Sequence, residues 1–448
     1  MADHPLLGLP GDWQQADSLH LLSNSTYEDG LDTVKIKQNL ALMWQGGQVN
    51  FTESRRALHV LHRINGLTDS ACMHDQAWMC AQDEKMYALA DTLKGVKHIL
   101  CVGQGGSALG LQCLNDFFQG LPAEAQIFFV DHCDEKAMKR TLKQIEQSKA
   151  LVVYISKSGT TNEVIWASEW LEAHWPNHPR VLITANPKAA ITYGVKKDNM
   201  ILLHPEVNGR LSIWSPVIFP ILLVYGRQTI DAFRQGASLV DKRMMEANDL
   251  KRSLPYKLAN IWYNQQQLLS FPVLWMLAYG QCLCGLGPHL QQLLMESLGK
   301  VWTKDDHKLL SMPGPIVMPM MGHHAQHAAM QYLHHNDLPM MVHGLSVLDA
   351  DLANSHQHLI AQYKAMTQPS MASADIDDRG EKHRVHRTYH HHHKSVTMML
   401  LADQAPHTLG ELIATYEYAT LMLGFNADIN PFDQYGVEKP KQLMREMA

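Results

Sequence analysis

The chain has 448 residues, 46% hydrophobic and 18% charged, with a net charge of −6 when histidine is counted neutral. That length holds two or three domains' worth of core, and the balance is that of a soluble globular protein without the basic surface a nucleic-acid partner needs. The longest apolar stretch, FPVLWMLAYGQCLCGLG (271–287), is short for a membrane span and broken by Gly and Gln; it is read as buried core with a turn in it, with no membrane partner.

In chain order, MADHPLLGLPGDWQQ carries acids and prolines where a signal peptide would be apolar. The first ninety residues read as helical and amphipathic. FTESRRALHVLHR (51–63) offers Thr52 as a cap, with Leu58 and Leu61 on one face. The texture then changes to apolar runs separated by helical patterns: VKHILCV (96–102), AQIFFV (125–130), ALVVYI (150–155), RVLITA (180–185) and NMILLH (199–204). Such runs indicate a parallel sheet covered on both faces. After a helical middle (216–300), GPIVMPM (314–320), LPMMVHGL (338–345) and SVTMMLLA (395–402) repeat the texture, without a repeat visible in the letters. The expected organisation is a first unit over 1–240 and a second over 241–448. ASADIDDRGEKHR (372–384) reads as a surface loop, and helical patterns close the chain at 408–423 and 437–448.

Seven cysteines (Cys72, Cys80, Cys101, Cys113, Cys133, Cys282 and Cys284) are odd in number and read as free thiols of a cytoplasmic protein. Cys282-Leu-Cys284 lacks the second pair a zinc site needs. Histidine is abundant, with 27 residues, and His390–His393 form an unbroken tract. Adjacent imidazoles diverge, so the tract is expected to have incidental metal affinity only, and no metal is assigned.

Two turns carry chemistry. Gly103, Gly105 and Ala108 fit G-x-G-x-x-A directly after a strand, and Asp131 ends the next strand. That is the layout of a dinucleotide fingerprint, although tight strand–helix turns take glycine whatever the ligand. The third strand ends in ISKSGTTNE (155–163), where hydroxyls, a lysine and a glycine precede a helical pattern. Such a loop either cradles an anion, above all phosphate, at the helix start, or merely caps the helix with its Ser and Thr. Two hydroxyl-rich loops at adjacent strand ends suit one phosphate monoester better than a dinucleotide.

Several blocks together resemble the glucose-6-phosphate isomerase family: VNFTESRRALHVLHR (49–63), VGQGGSALG (102–110), ISKSGTTNE, NGRLSIWSPV (208–217), LQQLLMESLGK (290–300), AQHAAMQYLHH (325–335) and FDQYGVEKPKQL (432–443). They stand in the family's order and span about residues 45 to 445. The resemblance implies an α/β fold of two sugar-isomerase-type, doubly wound parallel-sheet units, each a three-layer αβα arrangement, with helical N- and C-terminal extensions. It implies a homodimer, no metal and no cofactor. The implied reaction is the interconversion of glucose 6-phosphate and fructose 6-phosphate, a step of glycolysis and gluconeogenesis, through a cis-enediolate.

The resemblance also implies roles. Gly106, Ser107, Ser156, Lys157, Ser158, Thr160 and Thr161 match phosphate-binding positions, and Gln292 and Gln434 match positions that bond sugar hydroxyls. Glu296 matches the proton-shuttling glutamate, which burial is expected to make a stronger base. His327 matches the ring-opening histidine, which the family supplies from the partner subunit, and Lys441 the lysine at the ring oxygen. Arg210 matches the arginine that stabilises enediolate charge.

Departures fall at Leu298, Asn208, Leu211, Gly159 and Val164, in the GHHAQHA loop before and through His327, and in HRVHRTYHHHHKS (383–395). They bear on affinity, loop geometry and sugar preference. A sugar-phosphate sensor that keeps the binding loops is the alternative reading, but it has no use for Glu296 and Lys441; a dehydrogenase stands third.

Overall fold

The computed structural model describes residues 2–3, 10–16, 18–25, 27–63, 70–268, 273–336, 338–348, 353–367, 394–437, 439 and 443. The linker candidate 372–384, the His390–His393 tract and nearly all of the expected closing helix lie outside them. The chain forms two compact units, one of Leu40–Met245 and one that joins Met1–Asn39 to Glu246–Ala448.

The chain opens with strands where helices were expected. The short β1 (Ala2–Asp3) leads to β2 (Pro10–Ala16) and β3 (Leu19–Ser23), which pair antiparallel. β3 then joins the sheet of the second unit, so the N-terminal segment belongs with residues 246–448 rather than with the expected 1–240 unit. Helix α1 (Thr33–Trp44) follows. FTESRRALHVLHR forms no α-helix: Asn50 and Arg55 exchange backbone hydrogen bonds of 3.1 and 3.0 Å around a tight turn, and only a short 3-10 helix, His59–His62, comes after it. The Arg56 guanidinium holds both Asp75 and Glu206, and the Leu58 amide donates to the Glu206 carbonyl. These tertiary bonds outweigh the local helical pattern. Leu58 and Leu61 are nonetheless buried.

The Leu40–Met245 unit is built on five parallel strands: β4 (His98–Gly103), β5 (Gln126–Val130), β6 (Ala150–Ile155), β7 (Arg180–Thr184) and β8 (Met200–Leu202), in the order β5-β4-β6-β7-β8. All five expected strands are present. Helices α2 (Ser70–Thr92), α3 (Leu109–Phe117), α4 (Glu135–Gln144), α5 (Asn162–His174), the short α6 (Ala189–Thr192) and α7 (Phe219–Glu246, broken at Gly226) surround them. β6 is buried along its whole length, as its unbroken apolar run demands. Leu100, Val102, Val152 and Tyr154 meet Met138, Val164, Ala167 and Leu171 on one face.

The second unit continues with α8 (Leu254–Leu268), strand β9 (Val273–Tyr279) and α9 (Leu286–Leu298). The apolar stretch read as buried core with a turn in it is so from residue 273 on, with β9 as the buried strand and Gly280 at the turn; the strand interrupts the expected helical middle. β10 (Ile316–Met321), α10 (Gly322–Ala328), α11 (Met330–His335), β11 (Met340–Val347), α12 (Ala353–Thr367), β12 (Lys394–Leu401) and α13 (Pro406–Asn426) follow. The sheet order is β1-β2-β3-β12-β11-β9-β10, with β9 to β12 parallel and β2 and β3 antiparallel. One face packs on α10, α11 and α12 through Ala325, Met330, Leu333, Leu359 and Tyr363. On the other, His343 bonds Thr397 and the hydroxyl of Tyr416 on the buried helix α13. These are three layers.

Both sheets place their first parallel strand between the second and third: β4 between β5 and β6, and β9 between β10 and β11. The duplication of architecture is real, and it also shows in the letters. Gly280-Gln281 and Leu286-Gly287 stand after β9 at the same offsets as Gly103-Gln104 and Leu109-Gly110 after β4. Each pair flanks a strand, a 3-10 turn and a helix start.

Leu22 on β3 is fully buried in the core beneath α10–α12. Leu22→Ala is expected to destabilise the protein by about 2–5 kcal/mol, as other buried leucine truncations do. A denaturant midpoint indistinguishable from wild type would show that the N-terminal strand contributes nothing to the core.

Candidate active site

In the Leu40–Met245 unit the first-strand and third-strand loops leave the sheet side by side, because β4 and β6 are hydrogen-bonded neighbours whose outer partners lie in opposite directions. This is a topological switch point, where open parallel sheets take their ligands. After β4, Gly105 adopts φ +52° and Gly105–Ser107 wind into a 3-10 turn that opens α3. Gly106 lies against a second turn, Gly209–Trp214; a Cβ on Gly106 would sit 2.2 Å from the Gly209 carbonyl carbon and oxygen and 2.8 Å from the Arg210 nitrogen. Ser212 Oγ bridges the two turns, donating to the Gly209 carbonyl at 2.7 Å and towards the Gly106 carbonyl at 3.4 Å. The structure therefore brings Gly106, half-buried Ser107 and buried Arg210 into one backbone assembly.

After β6, Ser156 to Thr161 form a compact loop. The Gly159 amide donates to the carbonyl and Oγ of Ser156, both at 3.1 Å, and Ser156 Oγ meets Thr161 Oγ1 at 3.0 Å. Thr160 donates from its amide and its hydroxyl to Ser158 Oγ, at 3.1 and 3.0 Å. Gly159 needs to be glycine: its φ is +72°, and a Cβ would meet the Ala189 Cβ at 2.3 Å. Thr161 is the N-cap of α5 but makes no side-chain hydrogen bond to the helix amides. The capping explanation of these hydroxyls therefore fails at its expected position.

Lys157 is the electrostatic centre of this loop. Burial first, then the positive charge of Arg55, lower its pKa to about 8; Glu53 pulls the other way, Arg210 adds a smaller push down and Glu206 a smaller pull up. A group of cations that disfavour one another is a place where an added anion is stabilised. Arg55 was not singled out from the sequence; only its position near Lys157 in the fold brings it out.

The dinucleotide alternative loses the bare glycine face its pyrophosphate needs. Asp131 at the end of β5 accepts a hydrogen bond from Gln112 Nε2 at 3.0 Å, and the loop face at Gly106 is occupied by Gly209.

The Glu246–Ala448 unit carries the remaining candidates. On α9, Gln292 Nε2 donates to Glu296 Oε2 at 3.0 Å, one turn apart, and both residues are half-buried. Gly287 lets α9 approach β10: a Cβ there would meet Pro319 Cβ at 2.7 Å. Lys300 closes the helix by donating to the Glu296 and Ser297 carbonyls at 2.9 Å each and faces Asp433 at 3.5 Å, which ties the segment carrying half-buried Gln434 to the end of α9. Sequence reading missed His289, which lies on the same stripe of α9 as Gln292 and Glu296. It is fully buried, and burial alone pulls its pKa down to about 4, so the ring is neutral at physiological pH. His327 stands apart, exposed on α10 beyond the end of β10. Lys441 lies outside the described residues. Among the described residues no three His, Cys, Asp or Glu side chains gather as a metal site, and no helix is long and apolar enough to cross a membrane.

Residues 23–448 match the phosphoglucose isomerase family model. This chain belongs to that family. A glucose-6-phosphate isomerase of Stenotrophomonas maltophilia is 33% identical over 420 residues, covering 90% of this chain and 79% of the relative. One from Bordetella avium is 30% identical over 429 residues, covering 90% and 81%. A crystal structure of a glucose-6-phosphate isomerase from Chlamydia trachomatis superposes with a TM-score of 0.83 at 24% identity, covering 97% of this chain and 89% of the other, which shows the shared fold. Family membership makes the protein an isomerase, in keeping with two sheets that each end in a switch point.

Two outcomes follow for the phosphoglucose isomerase loops. Gly159→Ala is expected to force φ +72° on a residue with a Cβ and to push the loop off Ala189; inorganic phosphate binding, followed by calorimetry, should weaken at least tenfold. Unchanged affinity would mean that the loop does not bind phosphate. Separately, a lysine with a pKa of about 8 loses its charge as pH rises through that value. The sugar phosphate is already a dianion there, so the Kd should rise between about pH 7.5 and 9.5 while Lys157→Arg stays flat. Parallel profiles for the two proteins would remove Lys157 from the site.

Proposed function

We propose that this chain interconverts glucose 6-phosphate and fructose 6-phosphate by proton transfer between carbons 1 and 2, as a cytoplasmic enzyme of glycolysis and gluconeogenesis. The observation that carries the reading is the cation-flanked hydroxyl loop Ser156–Thr161 beside the glycine turn that holds Arg210. The loop hydroxyls and amides, with Ser107 and Lys157, hold the phosphate. Gln292 and Gln434 bond sugar hydroxyls.

In this proposal Glu296 moves the proton. Its carboxylate takes the proton from carbon 2 of the aldose, or from carbon 1 of the ketose, and returns it to the neighbouring carbon while the hydroxyl proton passes between oxygens 2 and 1, so the enediolate lies between two half-reactions of one base. Gln292, which donates to Glu296 Oε2, holds that carboxylate in place on the helix. Arg210 is a buried, permanently charged guanidinium suited to the negative charge that develops on the enediolate oxygens. Ring opening falls to His327 and Lys441. The exposure of His327 supports a homodimer in which each subunit lends this histidine to its partner.

The test is turnover of fructose 6-phosphate by purified protein in EDTA, coupled to a glucose-6-phosphate dehydrogenase. Robust metal-independent turnover is expected, and Glu296→Gln should lower kcat at least about a hundredfold. Turnover within about tenfold of wild type in that variant would show that another group is the base.

A further inference from the structure

The turn that bears Arg210 is held from behind by two arginine–aspartate pairs, one fully buried and one partly buried. Arg63 donates from Nε and Nη2 to the two carboxylate oxygens of Asp241, at 2.7 and 2.9 Å, and both side chains are fully buried. The same guanidinium lies 4.7 Å from the ring centroid of Trp214, the last residue of the turn. Arg234 pairs with Asp83 at 3.0 and 3.1 Å and donates at 2.6 Å to the Trp214 carbonyl. The indole stacks on Phe233 with centroids 4.5 Å apart and planes 11° apart. One end of the turn is thus clamped on both its ring and its carbonyl, while the other end touches Gly106.

Buried ion pairs add little stability over apolar side chains of the same size, because desolvation cancels most of their attraction. What they add here is direction. A guanidinium fork locked on an aspartate can approach the indole from one angle only.

We propose that Arg63 and Arg234 are positioning residues, which act through Trp214 to fix the turn that presents Arg210 and seats Gly106. The proposal rests on the role given to Arg210 above, and it makes the ion pairs part of the catalytic geometry rather than of the core.

The experiment is a mutant cycle. Arg63→Met with Asp241→Leu removes the pair without stranding a charge, so the protein should fold with a melting temperature near that of wild type. Its kcat for fructose 6-phosphate should fall tenfold to a hundredfold, roughly what a displacement near 1 Å costs, with KM moving much less. Adding Arg210→Ala to this background should then cost clearly less than in wild type, because the two changes remove the same interaction. Equal factors in both backgrounds would overturn the proposal, and so would an unchanged kcat. Should the double replacement not fold, Arg234→Lys keeps a charge opposite Asp83 and shortens the reach to Trp214; a lowered kcat with an intact fold supports positioning, and a wild-type kcat contradicts it. If the wild-type protein binds fructose 6-phosphate without turning it over, the isomerase reading fails alone. The cycle is then read on the Kd for inorganic phosphate, where coupling between the pair and Arg210 sustains positioning and independent factors refute it. No phosphate binding at all overturns both.

Discussion

The site in the Leu40–Met245 unit depends on one contact between two stretches of backbone. Gly106 and Gly209, about a hundred residues apart in the chain, approach so closely that a single Cβ on Gly106 would occupy the Gly209 carbonyl. Only bare backbone at Gly106 permits this approach, and Ser212 Oγ then bridges the two carbonyls. The glycine turn after β4 and the turn that bears Arg210 are therefore one rigid object. The neighbouring loop after β6 lies alongside because the strand order turns back on itself between β5 and β6. Both loops and the Arg210 turn share one scaffold for topological reasons.

The same strand arrangement serves the second unit differently. After β9, Gly280 takes φ +131° and the chain repeats the strand–turn–helix passage, but Cys282, Leu283 and Cys284 stand where the first unit has Gly105, Gly106 and Ser107. Bulky side chains replace the bare backbone that an anion needs. What this unit adds is the helix that follows, with Glu296 held by Gln292 and capped by Lys300. The architecture is repeated, and the loop residues differ between the two units.

The parallel strands were legible because strands buried on both faces must be apolar at every position, and ALVVYI or SVTMMLL allow little else. Three features were not. LHLLS (19–23) is too short to show a period, and it becomes a strand between β2 and the edge that β12 offers. VLWMLAY has an apolar run that a buried helix shares, so length and periodicity could not separate the two. FTESRRALHVLHR carries a helical pattern that Arg56 overrides through partners more than a hundred residues away in the case of Glu206. For the site, ISKSGTT and the glycine turn could be picked out from residue types alone as candidate anion loops. Glu296, His327 and Arg210 could not, since single charged residues on helices and turns are ordinary; the resemblance of whole blocks singled them out. Arg55, Arg63 and Arg234 escaped both routes, because their part is defined only by what they touch in the folded chain.

The measurement that goes most directly to the account is a crystal structure of the protein soaked with fructose 6-phosphate. The phosphate oxygens are expected within hydrogen-bonding distance of Ser107 and of the hydroxyls and amides of Ser156–Thr161, with the Lys157 ammonium beside them. A sugar phosphate bound elsewhere, with those loops lined only by water, would contradict it.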